Sequence, residues 1–301
     1  MTDTTHSSPA PAEGLLRPRR SVLYMPGANE RALEKAKGID ADALILDLED
    51  AVSPDAKPEA RDRVCAAVQS GEYGHRELAI RVNGIGTQWH DADIAAAAAA
   101  GPDAVLVPKV NSADEVLRLV AALEAAGAPE RTKLWAMIET PIALLHAEEI
   151  CAAHERLTVI VMGTNDVVNE TFGLHVPGRN PLVLTALSLS LLAARAAGKI
   201  IIDGVYNDVK NLEGFDAEAR QGREMGFDGK TLIHPSQVDP ANVAFAPSDD
   251  DIQHARDMIS TFEEAQASGQ GVVTFNGRMI EELHVRDAQR ILAFAEAIAA
   301  R

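Results

Sequence analysis

Nine polar side chains occupy one kind of place in this sequence: each falls at or just after the end of a short aliphatic run. They are Asp47, Glu49 and Asp50 in DLEDAV, Arg81 in RVNG, Lys109 in PKV, Glu139 in MIETP, Asp166 in MGTND, Asp203 in IIIDGV and His234 in LIHPSQ. Singly, each is an ordinary loop residue or helix cap, and Asp166 before VVNE reads equally well as an N-cap. At equivalent points of successive units they describe one pocket of mixed carboxylates and cations. Carboxylates on neighbouring strand ends suit a hard divalent cation; magnesium takes a few of their oxygens and keeps positions for water and substrate. No His/Cys cluster offers a zinc or iron site. The HxxE pair His146 and Glu149 falls inside a predicted helix and reads as surface or interior packing. Arg81 and Lys109 would meet a substrate carboxylate or a developing oxyanion, and the arginine fork can hold two oxygens at once. A magnesium ion and a guanidinium in one pocket suit a reaction through an enolate: the metal chelates an α-keto or α-hydroxy acid and the cation meets the charge that builds on oxygen.

The elements that must position these groups are legible as a repeat. The runs SVLYM (21–25), ALILDL (43–48), LAIRV (78–82), AVLVPKV (104–110), LWAMI (134–138), TVIVM (158–162), KIIID (199–203) and KTLIH (230–234) are short and almost continuously apolar, as strands buried on both faces are. Between them lie Ala/Leu-rich helical segments such as NERALEKAKG, SADEVLRLVAALEAAG, ALLHAEEICAAH and ALSLSLLAARAAG, several closing on glycine. Eight strands alternating with helices predict a closed (β/α)8 TIM barrel, whose functional groups project from the C-terminal ends of the strands. The competing doubly wound sheet lacks support, because no GxGxxG opens a helix after the first strand. The predicted organisation is a flexible tail over 1–18, a catalytic barrel over 19–248, and a C-terminal helical extension over 249–301 with helices at about 249–267 and 285–299.

Composition narrows the partners. A chain of 301 residues with 47% apolar content is long enough and apolar enough for a large folded core, so disorder is excluded. The formal net charge of −17, without a clustered Lys/Arg run, excludes a nucleic-acid footprint. An anionic substrate must then be drawn in by local cations. Cys65 and Cys151 lie in apolar helical stretches without metal-type spacing and read as buried thiols of a reducing compartment. The first residues contain no apolar h-region, and no apolar run is long enough for a bilayer, so a cytoplasmic protein without membrane attachment is expected.

The motifs RSVLYMPGANERALEKA, ADALILDLEDAVSPDAKPEAR, RVNG, VLVPKV, AMIETPIAL, VMGTND, GFDGKTLIHPSQV and, more loosely, FNGRMIEELHV run in order from Arg20 to Val285. Together they resemble the citrate lyase β-subunit-like family within the HpcH/HpaI aldolase superfamily. The resemblance implies magnesium ligands at Glu139 and Asp166, and a substrate-carboxylate or thioester-binding arginine at Arg81. It implies that Glu49 and Asp50 line the metal pocket through water, and that Tyr24 and Lys35 of the first loop meet coenzyme A. Gly163 and Thr164 would sit beside the keto acid, and His234 with Pro235 near the acyl chain. Such proteins form trimers or hexamers and act on CoA thioesters of hydroxy-dicarboxylic acids. Many of their lyases end in DGxMVDxP, whose second aspartate reaches a neighbouring subunit's pocket as acid/base. Here FNGRMIEELHV has Glu281 at that position and Leu283 in place of the proline. The leading expectation from the resemblance is Mg2+-dependent carbon–carbon cleavage of a malyl-CoA-like thioester to a keto acid and an acyl-CoA, with Arg81 on the enolate and Glu281 of a neighbouring chain as base. The alternative is hydrolysis of the same thioester, as in a (3S)-malyl-CoA thioesterase-like branch that the C-terminal glutamate also resembles. A third reading is the acyl lyase subunit of a citrate lyase-type complex working on an acyl-carrier thioester.

Overall fold

The computed structural model describes residues 17–268 and 272–301; most of the expected 1–18 tail lies outside the described residues. The chain divides into two compact units, one spanning Arg19–Phe245 and the other containing Ala246–Arg301. In the first, β1 (Ser21–Pro26), β2 (Ala43–Asp47), β3 (Glu77–Arg81), β4 (Ala104–Val107), β5 (Lys133–Ile138), β6 (Leu157–Met162), β7 (Ile200–Asp203) and β8 (Gly229–Leu232) close into a parallel barrel in sequence order. This is the (β/α)8 architecture expected from the alternation of aliphatic runs and helices. Burial on both faces explains those runs: Leu44, Ile45, Leu46, Val105, Leu106 and Ile160 are all fully buried.

The helices follow from their caps. They are α1 (Glu30–Ala36), α2 (Lys57–Gln69), α3 (His90–Ala100), α4 (Ala113–Ala125), α5 (Pro141–Leu145), α6 (Ala147–Ala152), α7 (Thr164–Glu170), α8 (Pro181–Ala196), α9 (Leu212–Met225) and α10 (Val238–Phe245). Asn29, Ser112, Thr140, Asn180 and Asn211 each accept a hydrogen bond from a first-turn N–H of the helix that follows. The single helix predicted over ALLHAEEICAAH is instead broken at His146, which lies between α5 and α6 and whose Nδ1 is 3.2 Å from the Asn111 carbonyl. The HxxE spacing therefore does not lie within one helix.

Closure depends on one glycine. A Cβ on Gly229 would fall 1.8 Å from the Arg19 carbonyl oxygen, so only glycine lets β8 approach the start of β1. A buried ionic cluster joins β7, β8 and α9. Lys230 donates to Asp203 (2.9 Å), Glu218 (2.8 Å) and the Gly204 carbonyl (2.5 Å), and Arg179 pairs with Asp203 and Glu218. Asp203 and Lys230 are completely buried, so Asp203 belongs to the frame of the barrel and not to an open rim.

The second unit holds α11 (Asp249–Ala267), an antiparallel hairpin of β9 (Val273–Phe275) and β10 (Arg278–Ile280), and α12 (Glu282–Ala299). Asn276 and Gly277 turn the hairpin with φ of 48° and 74°, the left-handed pair that Asn-Gly favours in a two-residue loop. The two helices match the expected extension, and the hairpin between them is an element that the helical patterns do not predict. Among the described residues no helix is long and apolar enough to cross a membrane. Both cysteines are free; Cys151 is buried as expected, but Cys65 is only partly so.

Removing Asp203 would leave Lys230 and Arg179 buried against a single remaining carboxylate. Asp203→Ala is expected to cost roughly 3–5 kcal/mol, read as a lower urea midpoint. An unchanged midpoint would show that the cluster does not hold β7 to β8.

Candidate active site

Strand register creates the first half of the site. β2 and β3 pair Asp47 with Arg81 at their C-terminal ends. Arg81 Nε and Nη2 donate to the two Asp47 oxygens at 2.6 and 2.7 Å, a bidentate fork. Asp47 also accepts the Glu49 and Ala51 backbone N–H groups, at 2.9 and 3.1 Å, and so shapes the loop that follows it. The Tyr24 ring packs 4.8 Å from the guanidinium carbon, a cation–π contact that covers one face of Arg81. What remains is Nη1, 2.9 Å from Glu49 and 3.6 Å from Asp50. Burial opposes the charge on Arg81, but Tyr24, Asp47 and Glu49 more than offset it, and its pKa stands well above the ordinary arginine value. The Glu49 carboxyl moves the other way. Burial, reinforced by Asp50 and Asp47, raises it to about 7 against the pull of Arg81.

The loop carrying Glu49 is clamped from behind. Lys57, buried in the first turn of α2, donates to the Leu48 and Glu49 carbonyls (each 2.8 Å) and to Asn83 Oδ1 (2.6 Å). Asn83 passes the contact to Asp93, which pairs with Arg61. Sequence reasoning missed this network, since nothing in the spacing of Lys57 says that it turns back on the strand end.

The second half of the site comes from β4, β5 and β6. Glu139, 2% exposed, accepts the Lys109 backbone N–H at 2.8 Å. Its Oε2 fits only because residue 163 is glycine: a Cβ there would fall 2.2 Å away. Gly204 leaves similar room for Thr164, whose Oγ1 would lie 2.5 Å from a Cβ at that position. Asp166 is in the first turn of α7, whose N-cap is Gly163, so it is not the helix cap that its sequence context allowed. It faces the Lys109 ammonium at 3.1 Å. Lys109 thus points at carboxylates, which corrects its expected role toward a substrate anion. Burial first, then Asp166 and Glu49, raise the Glu139 carboxyl to about 8.

A cavity of about 320 Å3 is lined by Tyr24, Asp47, Asp50, Arg81, Glu139, Gly163, Thr164 and Asp166; Glu49 and Lys109, which pair with Arg81 and Asp166, are not among its lining residues. A second cavity of about 380 Å3 shares Thr164, Asn165 and Val205 with it. Asn165, on the wall of both, exchanges two side-chain amide hydrogen bonds with Asn207, at 3.1 and 2.8 Å. Lys35 and His234 do not line the first cavity. Lys35 is exposed in the last turn of α1, and His234 is exposed and capped on Ser236. Glu281 belongs to the other unit, where it is exposed and precedes α12, its backbone N–H donating to His284 Nδ1 at 3.0 Å.

The donors suit a small hard cation. Two carboxylates, one buried and raised by its neighbour's charge, fit magnesium, which fills its remaining positions with water and substrate oxygens.

An eight-stranded barrel with this acidic, arginine-centred rim defines a class of barrel proteins. Residues 20–235 match the model of the HpcH/HpaI aldolase/citrate lyase family, and the chain belongs to that family. It is 52% identical over 284 residues, 94% of this chain and 96% of the relative, to a (3S)-malyl-CoA thioesterase of Cereibacter sphaeroides strain KD131. It is 37% identical over 285 residues, 93% and 94% of the two chains, to the citrate lyase subunit beta of Escherichia coli K12. Among solved structures, protein CitE of Mycobacterium tuberculosis, in complex with magnesium, acetoacetate and coenzyme A, superposes with a TM-score of 0.75 at 29% identity, covering 92% of this chain and 97% of that one.

The raised Glu139 pKa carries a pH signature. The folded, metal-free protein keeps a proton on Glu139 up to about pH 8, whereas the unfolded chain releases it near the ordinary value of 4.5. The Glu139 contribution to stability should therefore be fully present below that lower value and fall as pH rises toward 8, by at most about 1.4 kcal/mol per pH unit, with Glu49 adding a slope of the same sign up to about pH 7. Thermal midpoints in a chelator across pH 5–8 check this. Glu139→Gln should lessen the slope, most clearly between pH 7 and 8 where Glu49 contributes least; the same slope in that variant would contradict the assignment.

Proposed function

We propose that this protein is a magnesium-dependent enzyme of CoA thioesters, and that it hydrolyses a malyl-CoA-like 3-hydroxyacyl thioester to the free hydroxy-diacid and CoA. The observation that carries this reading is the arrangement around Arg81: the guanidinium edge that Asp47 leaves over pairs with Glu49 at 2.9 Å, and the Glu49 carboxyl near 7 is matched to proton transfer at neutral pH. The full-length similarity to a (3S)-malyl-CoA thioesterase supports it, as do the magnesium and coenzyme A bound in the solved relative.

Bound at Glu139 and Asp166, magnesium would polarise the substrate's oxygens. Glu49 takes a proton from water, and the water oxygen bonds to the thioester carbonyl carbon. Arg81 Nη1 donates to the oxygen on which charge develops, held in place by Asp47 and the Tyr24 ring. The C–S bond then breaks, and the proton passes from Glu49 to the departing thiolate. Gly163 and Thr164, which line the cavity, border the diacid. Lys35 and His234, both exposed, would serve only the outer part of CoA.

Carbon–carbon cleavage is the second reading, favoured by the similarity to citrate lyase beta subunits. In it the bond between the carbinol and α carbons breaks, Arg81 holds the acyl-CoA enolate, and Glu281 of a neighbouring chain takes the hydroxyl proton. That role requires residues 249–301 to pack on a neighbour within a trimer or hexamer. Hydrolysis needs no such contribution, which is why it stands first. The free thiols and the relatives' CoA chemistry fit a cytoplasmic setting.

Incubation with (S)-malyl-CoA, with and without Mg2+, separates the readings. Free thiol without glyoxylate is expected. Glyoxylate and acetyl-CoA without thiol would establish cleavage instead, and turnover confined to an acyl-carrier thioester would point to a lyase-complex subunit. Glu139→Gln and Asp166→Asn should each abolish Mg2+-dependent turnover. Arg81→Lys, which loses the fork, should lower kcat by about 10²–10³.

A further inference from the structure

Lys109 has a backbone that lysine seldom adopts, with φ of 52° in the left-handed region. It follows Pro108 just past the end of β4, and its two polar groups reach two different strands. The main-chain N–H meets Glu139 Oε1 at 2.8 Å, after β5; the ammonium meets Asp166 Oδ1 at 3.1 Å, after β6. One oxygen of each carboxylate is thereby engaged by the same residue. The other Glu139 oxygen lies over Gly163, where no side chain crowds it. The loop is fixed a second time two residues on, where Thr140 Oγ1 donates to Asn111 Oδ1. The ammonium also stands 3.6 Å from Glu170, one helical turn beyond Asp166.

We propose that Lys109 is a positioning residue that aligns both metal-binding carboxylates, Glu139 through its backbone N–H and Asp166 through its ammonium. The proposal rests on the assignment of those two residues as magnesium ligands. A left-handed lysine costs free energy, and residues held in such conformations gather at sites whose geometry they set. Groups that orient metal ligands from outside usually matter for affinity by about tenfold to a hundredfold.

A bystander cation and an aligning cation make opposite demands. A positive charge beside a dication site repels the dication, so deleting a mere counter-ion tightens binding. Deleting an aligner loosens it. Lys109→Met removes the ammonium at nearly constant length. Lys109→Gly removes it while keeping the N–H and relieving the backbone, which guards against a variant that does not fold. Lys109→Arg keeps the charge.

The experiment is direct Mg2+ titration by calorimetry, repeated with Mn2+ by electron paramagnetic resonance, on wild type and these variants, with Glu139→Gln and Asp166→Asn alongside. The expected result is an affinity at least about tenfold weaker in Lys109→Met and Lys109→Gly, largely recovered in Lys109→Arg. Unchanged or tighter binding in the first two, with Glu139→Gln and Asp166→Asn still defective, would overturn the role of Lys109 alone. Wild-type affinity in Glu139→Gln and Asp166→Asn would overturn the ligand assignment and this inference with it.

Discussion

Like charges gathered at the mouth of a closed barrel repel one another, and burial makes that repulsion stronger. The rim of this protein is organised around that constraint. Asp47 is neutralised by the Arg81 fork, and Asp166 faces the Lys109 ammonium. Among the described residues Glu139 accepts a backbone N–H and no side-chain cation, and its carboxyl is left raised to about 8. Glu49, touching the one edge of Arg81 that Asp47 does not use, is left near 7. A carboxylate that is buried and only partly compensated is a poor structural element and a good cation ligand. The same imbalance that weakens the metal-free rim gives a divalent cation its reason to bind there.

Rigidity comes from the surroundings of these groups more than from the groups themselves. Lys57 holds the Leu48 and Glu49 carbonyls, Gly163 and Gly204 give Glu139 and Thr164 their space, and Lys230 fixes the Gly204 carbonyl from below. Each is a close approach or a buried bond on one strand end that sets a side chain on the next. A reacting group held this way loses little orientation when substrate arrives, which is the condition under which proximity contributes most.

The barrel was legible because doubly buried strands read as short aliphatic runs, and a periodic alternation of such runs with helices has few topological solutions. Strand-end placement also brought out the rim, since register alone pairs Asp47 with Arg81. It could not sort the rim residues by task. Asp203 stands at the same sequence point as Glu139 yet is locked in a buried ionic cluster, because its partners Arg179 and Lys230, which also bind Glu218, come from other parts of the chain. Lys109 faces carboxylates because its φ is positive, a property that a Pro-Lys pair does not announce. The break at His146 was hidden for a related reason: a contact from Asn111, on the loop between β4 and α4, accompanies it, against an unbroken helical pattern. The hairpin before α12 did carry a local signal in Asn276-Gly277, and it was overlooked between two stronger helical patterns. Its strands are also only three residues each.

The central claim is that Glu139 and Asp166, and not the more numerous acids of the Asp47–Asp50 loop, hold the cation. Anomalous diffraction from crystals grown with Mn2+ tests it most directly. The expected result is one strong peak at the barrel mouth, with one oxygen of Glu139 and one of Asp166 about 2.1 Å away and waters completing the shell. A peak seated on Asp47, Glu49 or Asp50, with Glu139 and Asp166 out of reach, would contradict it.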